Sequence, residues 1–182
     1  MKLFVTPTSP YARASIIAVY EKQLEERVDF IWTRTRVADD PMLSYNPSGR
    51  IPFVLFPNGE GLEGTEVLFD YFDGLTGTRQ FRIPSGKNHW PFRRIEALAR
   101  SLLDGVSVWA REILRPDGEK SSSVIMYESK KAIRIVSHLH DFGQLRRVEP
   151  LRNDLVVVFA PQDFQHQRRL AARIWRQKKQ NA

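Results

Sequence analysis

Directly after the apolar run Leu3-Phe4-Val5, the chain reads Thr6-Pro7-Thr8-Ser9-Pro10-Tyr11. Serine before proline is ordinary punctuation at a helix start. The hydroxyl accepts a free backbone N–H, and the proline fills the first helical position, where no donor is needed. The same place offers a second use. Oriented N–H groups and the helix dipole favour an anion at a helix N-terminus, so Ser9 is also placed to face one. The stretch by itself leaves both readings open. Other chemistry is easier to set aside. The chain has no cysteine, which removes disulfides, thiolate metal ligands and a cysteine nucleophile. His138 and His140 are two residues apart and lie on different helix faces, so no shared metal site is expected.

The elements that must position Ser9 follow from hydrophobic period. Lys2–Val5 reads as a short buried strand, and Pro10 to about Gln23 as a helix with Ile16, Ile17, Tyr20 and Leu24 on one face. Val28–Trp32 is a second strand-like run. The irregular stretch that follows has room for one helical turn between Pro41 and Tyr45. Phe53–Phe56 and Glu60–Glu63 flank Pro57-Asn58-Gly59, a strong hairpin signal. Thr65 opens and caps a further helix, with Val67, Leu68, Tyr71 and Phe72 inward and a stop near Gly74. The order over residues 1–75 is βαβαββα, a small α/β sandwich. Residues 76–88 have no period and read as a linker. From 89 to 182 the signal is helical. Ile95, Leu98, Ala99, Leu102, Val106, Trp109 and Ile113 recur at three- and four-residue steps, and Pro116-Asp117-Gly118 ends that run. A second helix is expected over 121–142, with Ala132, Val136 and Leu139 inward.

Charge divides unevenly along the chain. Residues 1–80 carry 8 Lys/Arg against 11 Asp/Glu, whereas residues 81–182 carry 20 against 10, giving −3 and +10. The tail QHQRRLAARIWRQKKQNA holds six basic residues and no acid. A charge run is by default a solvated face, and no nucleic-acid motif accompanies it, so nucleic acid is not expected as a partner. The apolar stretches around Ser15–Tyr20 and Leu155–Ala160 are too short to cross a bilayer. The start MKLFVTP lacks a secretory pattern, so a cytoplasmic protein without a membrane partner is expected.

Four ordered motifs then carry a resemblance. A short strand runs into T-S-P-Y-x-R; N-P-S-G-R-I-P-F follows at 46–53, P-N-G-E-G-L at 57–62, and E-G-T-E-V-L-F-D-Y at 63–71. In order and spacing this resembles the glutathione transferase family, in its bacterial, serine-type form. The resemblance is strong over residues 1 to about 75 and weaker to near residue 140. It implies a thioredoxin-like N-terminal domain that binds glutathione as co-substrate, followed by the family's α-helical domain. Ser9 would then be the catalytic hydroxyl that donates to the glutathione sulfur and stabilises its thiolate. Ile51-Pro52 would be a cis-prolyl bond that presents the Ile51 backbone to the peptide-like ligand. Thr65 would hold the γ-glutamyl carboxylate as well as capping its helix, and Arg50 would reach the ligand. Tyr11 and Trp109 would border the pocket for a small hydrophobic electrophile. Conjugation to that electrophile, or reduction of a peroxide, would be the reaction, with a role in detoxification. Members of the family generally pair as homodimers, which the opposed charges of the two halves would favour.

The sequence departs from the family pattern in two places. Gly64 stands where members usually have an acid that holds the ligand's α-ammonium group, which implies weak glutathione binding unless Glu63 or Glu66 substitutes. In PLRNDLVVVFAPQDFQHQ, residues 150–167, Leu151 replaces a capping threonine and Pro161 interrupts the expected core helix, at about 3 kcal/mol for a helix interior. A shortened or degenerate C-terminal domain is the expectation. These departures support an alternative, in which the fold serves as a non-catalytic binding or scaffold module.

Overall fold

The computed structural model describes residues 1–77, 81, 83 and 85–146, with side chains described to His140. The expectations for Leu151, Pro161 and the basic tail lie outside those residues. Met1–His140 form one compact unit, and the chain from Asp141 belongs to a second.

The elements run β1 (Lys2–Val5), α1 (Pro10–Glu21), β2 (Asp29–Trp32), a 3₁₀ turn at Pro41–Ser44, β3 (Phe53–Leu55), β4 (Gly61–Glu63), α2 (Thr65–Thr76), α3 (His89–Ile113) and α4 (Ser122–Arg146). The second helical position of the expected βαβαββα order is thus a single tight turn. Asp40 starts it by accepting the Met42 N–H at 2.8 Å, ahead of Pro41. The four strands make one mixed sheet in the order β2-β1-β3-β4. β1 pairs parallel to β2, with Leu3 opposite Phe30, and antiparallel to β3, with Leu3 opposite Val54. The β3–β4 hairpin closes at Pro57-Asn58-Gly59, where Phe56 N–H donates to Glu60 C=O at 2.8 Å. This is a thioredoxin-like sheet followed by helices.

Leu3, Val5 and Val54 from the sheet meet Ala12, Ala18 and Val19 of α1 and Leu68 and Phe72 of α2 in one fully buried cluster. Three helix faces differ from the expected ones. On α1 the buried stripe is Ala12, Ser15, Ala18 and Val19, while Ile16 and Ile17 are half-buried and Tyr20 is exposed. Small side chains let the helix lie close to its neighbours, and Tyr20 stacks at the edge on Phe30, with ring centroids 6.0 Å apart. On α2 Val67 faces outward. On α4 the buried residues are Ala132 and Ile135, so Val136 lies one step off the inner face.

Two polar devices fix the frame. Lys22, the C-cap of α1, forms an ion pair of 2.5 Å with Asp73 of α2, both side chains almost fully buried. Asp73 also accepts the Phe81 N–H at 2.9 Å, and the Lys22 ammonium sits 5.0 Å from the Phe81 ring centre. At the α3–α4 corner, buried Glu112 accepts the Ser121 N–H at 2.6 Å and pairs with Arg115 at 3.1 Å. No described helix is long and apolar enough to cross a membrane.

Candidate functional site

Ser9 is the N-cap of α1, extended at φ −81°, ψ 119°, with Pro10 at the first helical position. Its Oγ accepts the Ala12 N–H at 3.1 Å. That contact uses a lone pair and leaves the hydroxyl proton without an acceptor among the described residues. The side chain is half-buried. Capping and donation outward therefore coexist in one hydroxyl.

The start of α2 differs from the sequence expectation. Gly64, not Thr65, is the N-cap, and no side chain caps the helix. Gly64 has φ 93° and ψ 131°, with nothing within 4 Å of where a Cβ would stand. Only glycine adopts such a conformation without strain. Thr65 is the first helical residue, buried, and its hydroxyl donates to the Tyr11 carbonyl at 3.4 Å. Only from Leu68 onward does α2 return its N–H to the helix, here to Gly64 C=O at 3.0 Å. The first-turn N–H groups of Thr65, Glu66 and Val67 are thus left for another acceptor. The two carboxylates that could replace the missing acid already have protein partners. Glu63 accepts from Ser48, and Glu66 pairs with Arg100 of α3.

Between these helix starts runs the loop 46–52. Buried Asn46 organises it, donating to Arg50 C=O at 2.6 Å and accepting from Ser48 Oγ at 2.9 Å. Gly49 sits at φ 61°, a left-handed conformation that glycine adopts without strain. The Ile51–Pro52 peptide bond is cis, and Pro52 is buried. The β1–β3 ladder stops at Phe4 and Phe53, two residues short of Ile51. Arg50 is exposed, and its charge reaches the Tyr11 phenol.

Tyr11 joins the parts. Its carbonyl takes the Thr65 hydroxyl, and its phenol donates to Asp104 of α3. Burial pushes the phenol up to about 12; the hydrogen bond to Asp104 and that carboxylate's charge add to it, while Arg100 and Arg50 pull the other way. Trp109, further along α3, is half-buried, and its indole N–H is buried without a partner among the described residues. The structure therefore gathers Ser9, Tyr11, Arg50 and Thr65 around two helix starts. Asp104 and Arg100 were not anticipated. Asp104 lies 93 residues from Tyr11 in sequence, and no local pattern marks a contact of that range.

Comparisons with known proteins show the family to which this fold belongs. A sequence profile described as "Glutathione S-transferase, N-terminal domain" matches residues 3–80. A glutathione S-transferase from Methylobacillus flagellatus KT, solved with glutathione bound, is 33% identical. The match covers 76% of this chain and 67% of that one, at a TM-score of 0.58. A glutathione transferase family member from Pseudomonas fluorescens Pf-5, also with bound glutathione, is 26% identical at a TM-score of 0.64, over 76% and 69% of the two chains. YibF of Escherichia coli K12, an uncharacterised protein of the same kind, is 26% identical over 142 residues, which is 78% of this chain and 69% of YibF. The chain thus spans about two thirds of the length of these relatives. With the thioredoxin-like sheet, the helical region after it and the ordered motifs now in place, the chain belongs to the glutathione S-transferase family.

Proposed function

We propose that the protein binds glutathione across the starts of α1 and α2 and activates its thiol. One observation carries this reading: Ser9 keeps a free hydroxyl proton while Thr65, at the open N-terminus of α2, is tied to Tyr11 two residues away. The γ-glutamyl carboxylate would take the unpaired N–H groups of α2, where the helix dipole favours an anion. The Ile51 backbone would pair with the ligand's peptide unit, beside Pro52, with Arg50 reaching over the loop. The thiol would then lie against Ser9. A free thiol has a pKa of about 8.5, and a donor aimed at the sulfur lowers it, raising the fraction of nucleophilic thiolate near neutral pH. Ser9 donates and need not ionise. On the side bordered by Tyr11 and Trp109 the sulfur attacks an electrophilic carbon, displacing its leaving group or adding to its activated double bond. With a peroxide it attacks an oxygen instead, breaking the O–O bond to give an alcohol or water and a sulfenic acid that a second glutathione resolves to the disulfide.

A second reading is favoured by Gly64, since Glu63 and Glu66 are already engaged and the ligand ammonium has no evident carboxylate. In that reading the fold is a non-catalytic scaffold. Isothermal titration with glutathione, joined to far-ultraviolet thiolate absorbance of the complex against pH, separates the two. Weak binding with a lowered thiol pKa that Ser9→Ala abolishes supports the enzyme. Absence of heat, or an unshifted thiol, supports the scaffold.

We also propose a cytoplasmic homodimer, with a thioredoxin-like domain over 1–75, a linker over 76–88 and a helical domain over 89–182. The −3 and +10 charges of the two halves favour pairing of unlike faces around a two-fold axis. Sedimentation at micromolar concentration checks it, and a monomer mass refutes it.

A further inference from the structure

The site stands on the first turns of two helices, and a third element reaches both. Along α3, Glu96, Arg100 and Asp104 are spaced at four-residue steps and share one face. Arg100 pairs with Glu66 in the first turn of α2 and lies 3.6 Å from Glu96. Asp104 accepts the phenol of Tyr11 in the first turn of α1. Tyr11 is in turn the acceptor for Thr65. Ser9 has a tie of its own to the helix, through Ala12. The turn before it is held by Arg13, whose guanidinium donates to Pro7 C=O at 3.0 Å. Tyr11 is therefore one of the links that hold the hydroxyl for the sulfur relative to the N–H groups for the carboxylate.

We propose that Tyr11 and Asp104 form a positioning pair through which α3, in the helical part of the chain, fixes Ser9 against the thiol. The inference rests on the glutathione reading above; it adds Asp104, and it gives Tyr11, besides its place beside the electrophile, a role that acts through Ser9. Two effects follow from the geometry. The hydrogen bond anchors the start of α1 to α3, and a reacting group displaced by about 1 Å can lose on the order of 10²-fold in rate. The phenolic proton also occupies a carboxylate that would otherwise stand bare near a developing thiolate. Arg100 and Arg50 are the other charges acting on that phenol, and its pKa of about 12 keeps the proton in place at neutral pH.

The test measures the pKa of the glutathione thiol bound to the full chain, kcat/KM with a small electrophile, and affinity for S-methylglutathione, which has no thiol to ionise. Three variants suffice: Tyr11→Phe, Asp104→Leu and Asp104→Asn. Tyr11→Phe and Asp104→Leu should raise the bound thiol toward its free value of about 8.5 and lower kcat/KM by roughly 10- to 100-fold. Asp104→Asn keeps an oxygen for the phenol and should retain the parent thiol pKa. S-methylglutathione should bind all three as it binds the parent. If Asp104→Leu does not fold, Tyr11→Phe carries the test. A thiol pKa unmoved in Tyr11→Phe overturns the proposal, as does Asp104→Asn behaving like Asp104→Leu. Loss of S-methylglutathione affinity in step with the rate also overturns it, because the pair would then only hold the fold. An unshifted thiol in the parent protein overturns the glutathione thiolate reading itself, and this pair with it.

Discussion

Replacing Asp73 by asparagine should be among the most damaging single changes in the described frame. Asp73 and Lys22 lie 2.5 Å apart with side chains 3% and 1% exposed. Removing the carboxylate charge leaves an ammonium in the interior between α1 and α2. Breaking a buried pair by deleting one partner costs about 3–5 kcal/mol, against a total stability of roughly 5–15 kcal/mol for a domain. Asparagine can still accept the Phe81 N–H that Asp73 Oδ2 now takes at 2.9 Å. In urea, with an m value near 2 kcal/mol/M, about 4 kcal/mol moves the midpoint down by about 2 M. The double variant Lys22→Met/Asp73→Leu removes both charges and should recover most of that loss, because an apolar pair of similar volume avoids the desolvation cost. Urea melts followed by far-ultraviolet circular dichroism measure all three proteins. An Asp73→Asn midpoint within 0.5 M of the parent, on that roughly 2 M scale, would refute the reasoning. So would a double variant less stable than Asp73→Asn.

Four further outcomes are expected. Gly64→Ala should cost about 1–3 kcal/mol in thermal melts, all of it backbone strain at φ 93° because the space is open. Gly64→Glu should carry the same loss, while a new charge-assisted hydrogen bond tightens glutathione binding by about 1.5–3 kcal/mol in calorimetry. The Tyr11 phenol, pushed up to about 12 by burial and Asp104, should appear as a late step in an absorbance titration that Tyr11→Phe removes. The fold holds that proton more tightly than the unfolded chain, so its stabilising contribution is intact below pH 10 and is lost as pH rises from about 10 through 12. Glu112→Ala, which deprives the Ser121 N–H of its acceptor at 2.6 Å, should cost about 1–3 kcal/mol in urea melts.

Local signals were the legible ones. Pro10 after Ser9, Asn58-Gly59 between apolar runs and Pro116 after a long helical stripe each act over a few residues, and the elements around them stand where those residues imply. Helix faces were harder, because the stripe on α1 is made of Ala12, Ser15 and Ala18, and small residues carry little hydrophobic signal. Thr65 misled for a related reason. A threonine at a helix start usually caps it, but positive φ at Gly64 moves the cap back by one residue. The site's side chains were visible as types, whereas Asp104 and Arg100 enter only through tertiary packing. Nothing within a few residues of either one points to Tyr11 or Glu66.

Asn46 deserves a different kind of weight. Its amide and backbone engage Met42, Ser48, Gly49 and Arg50, and every one of those partners belongs to the loop or to the 3₁₀ turn just before it. A variant of this chain without the proposed thiol chemistry would still need that amide to fold. Selection on the asparagine is therefore blind to whether any reaction takes place. Asn46 is held as architecture, and in the proposed reading divergence of activity within such a lineage would be written at Ser9, Arg50, Gly64 and Asp104 instead.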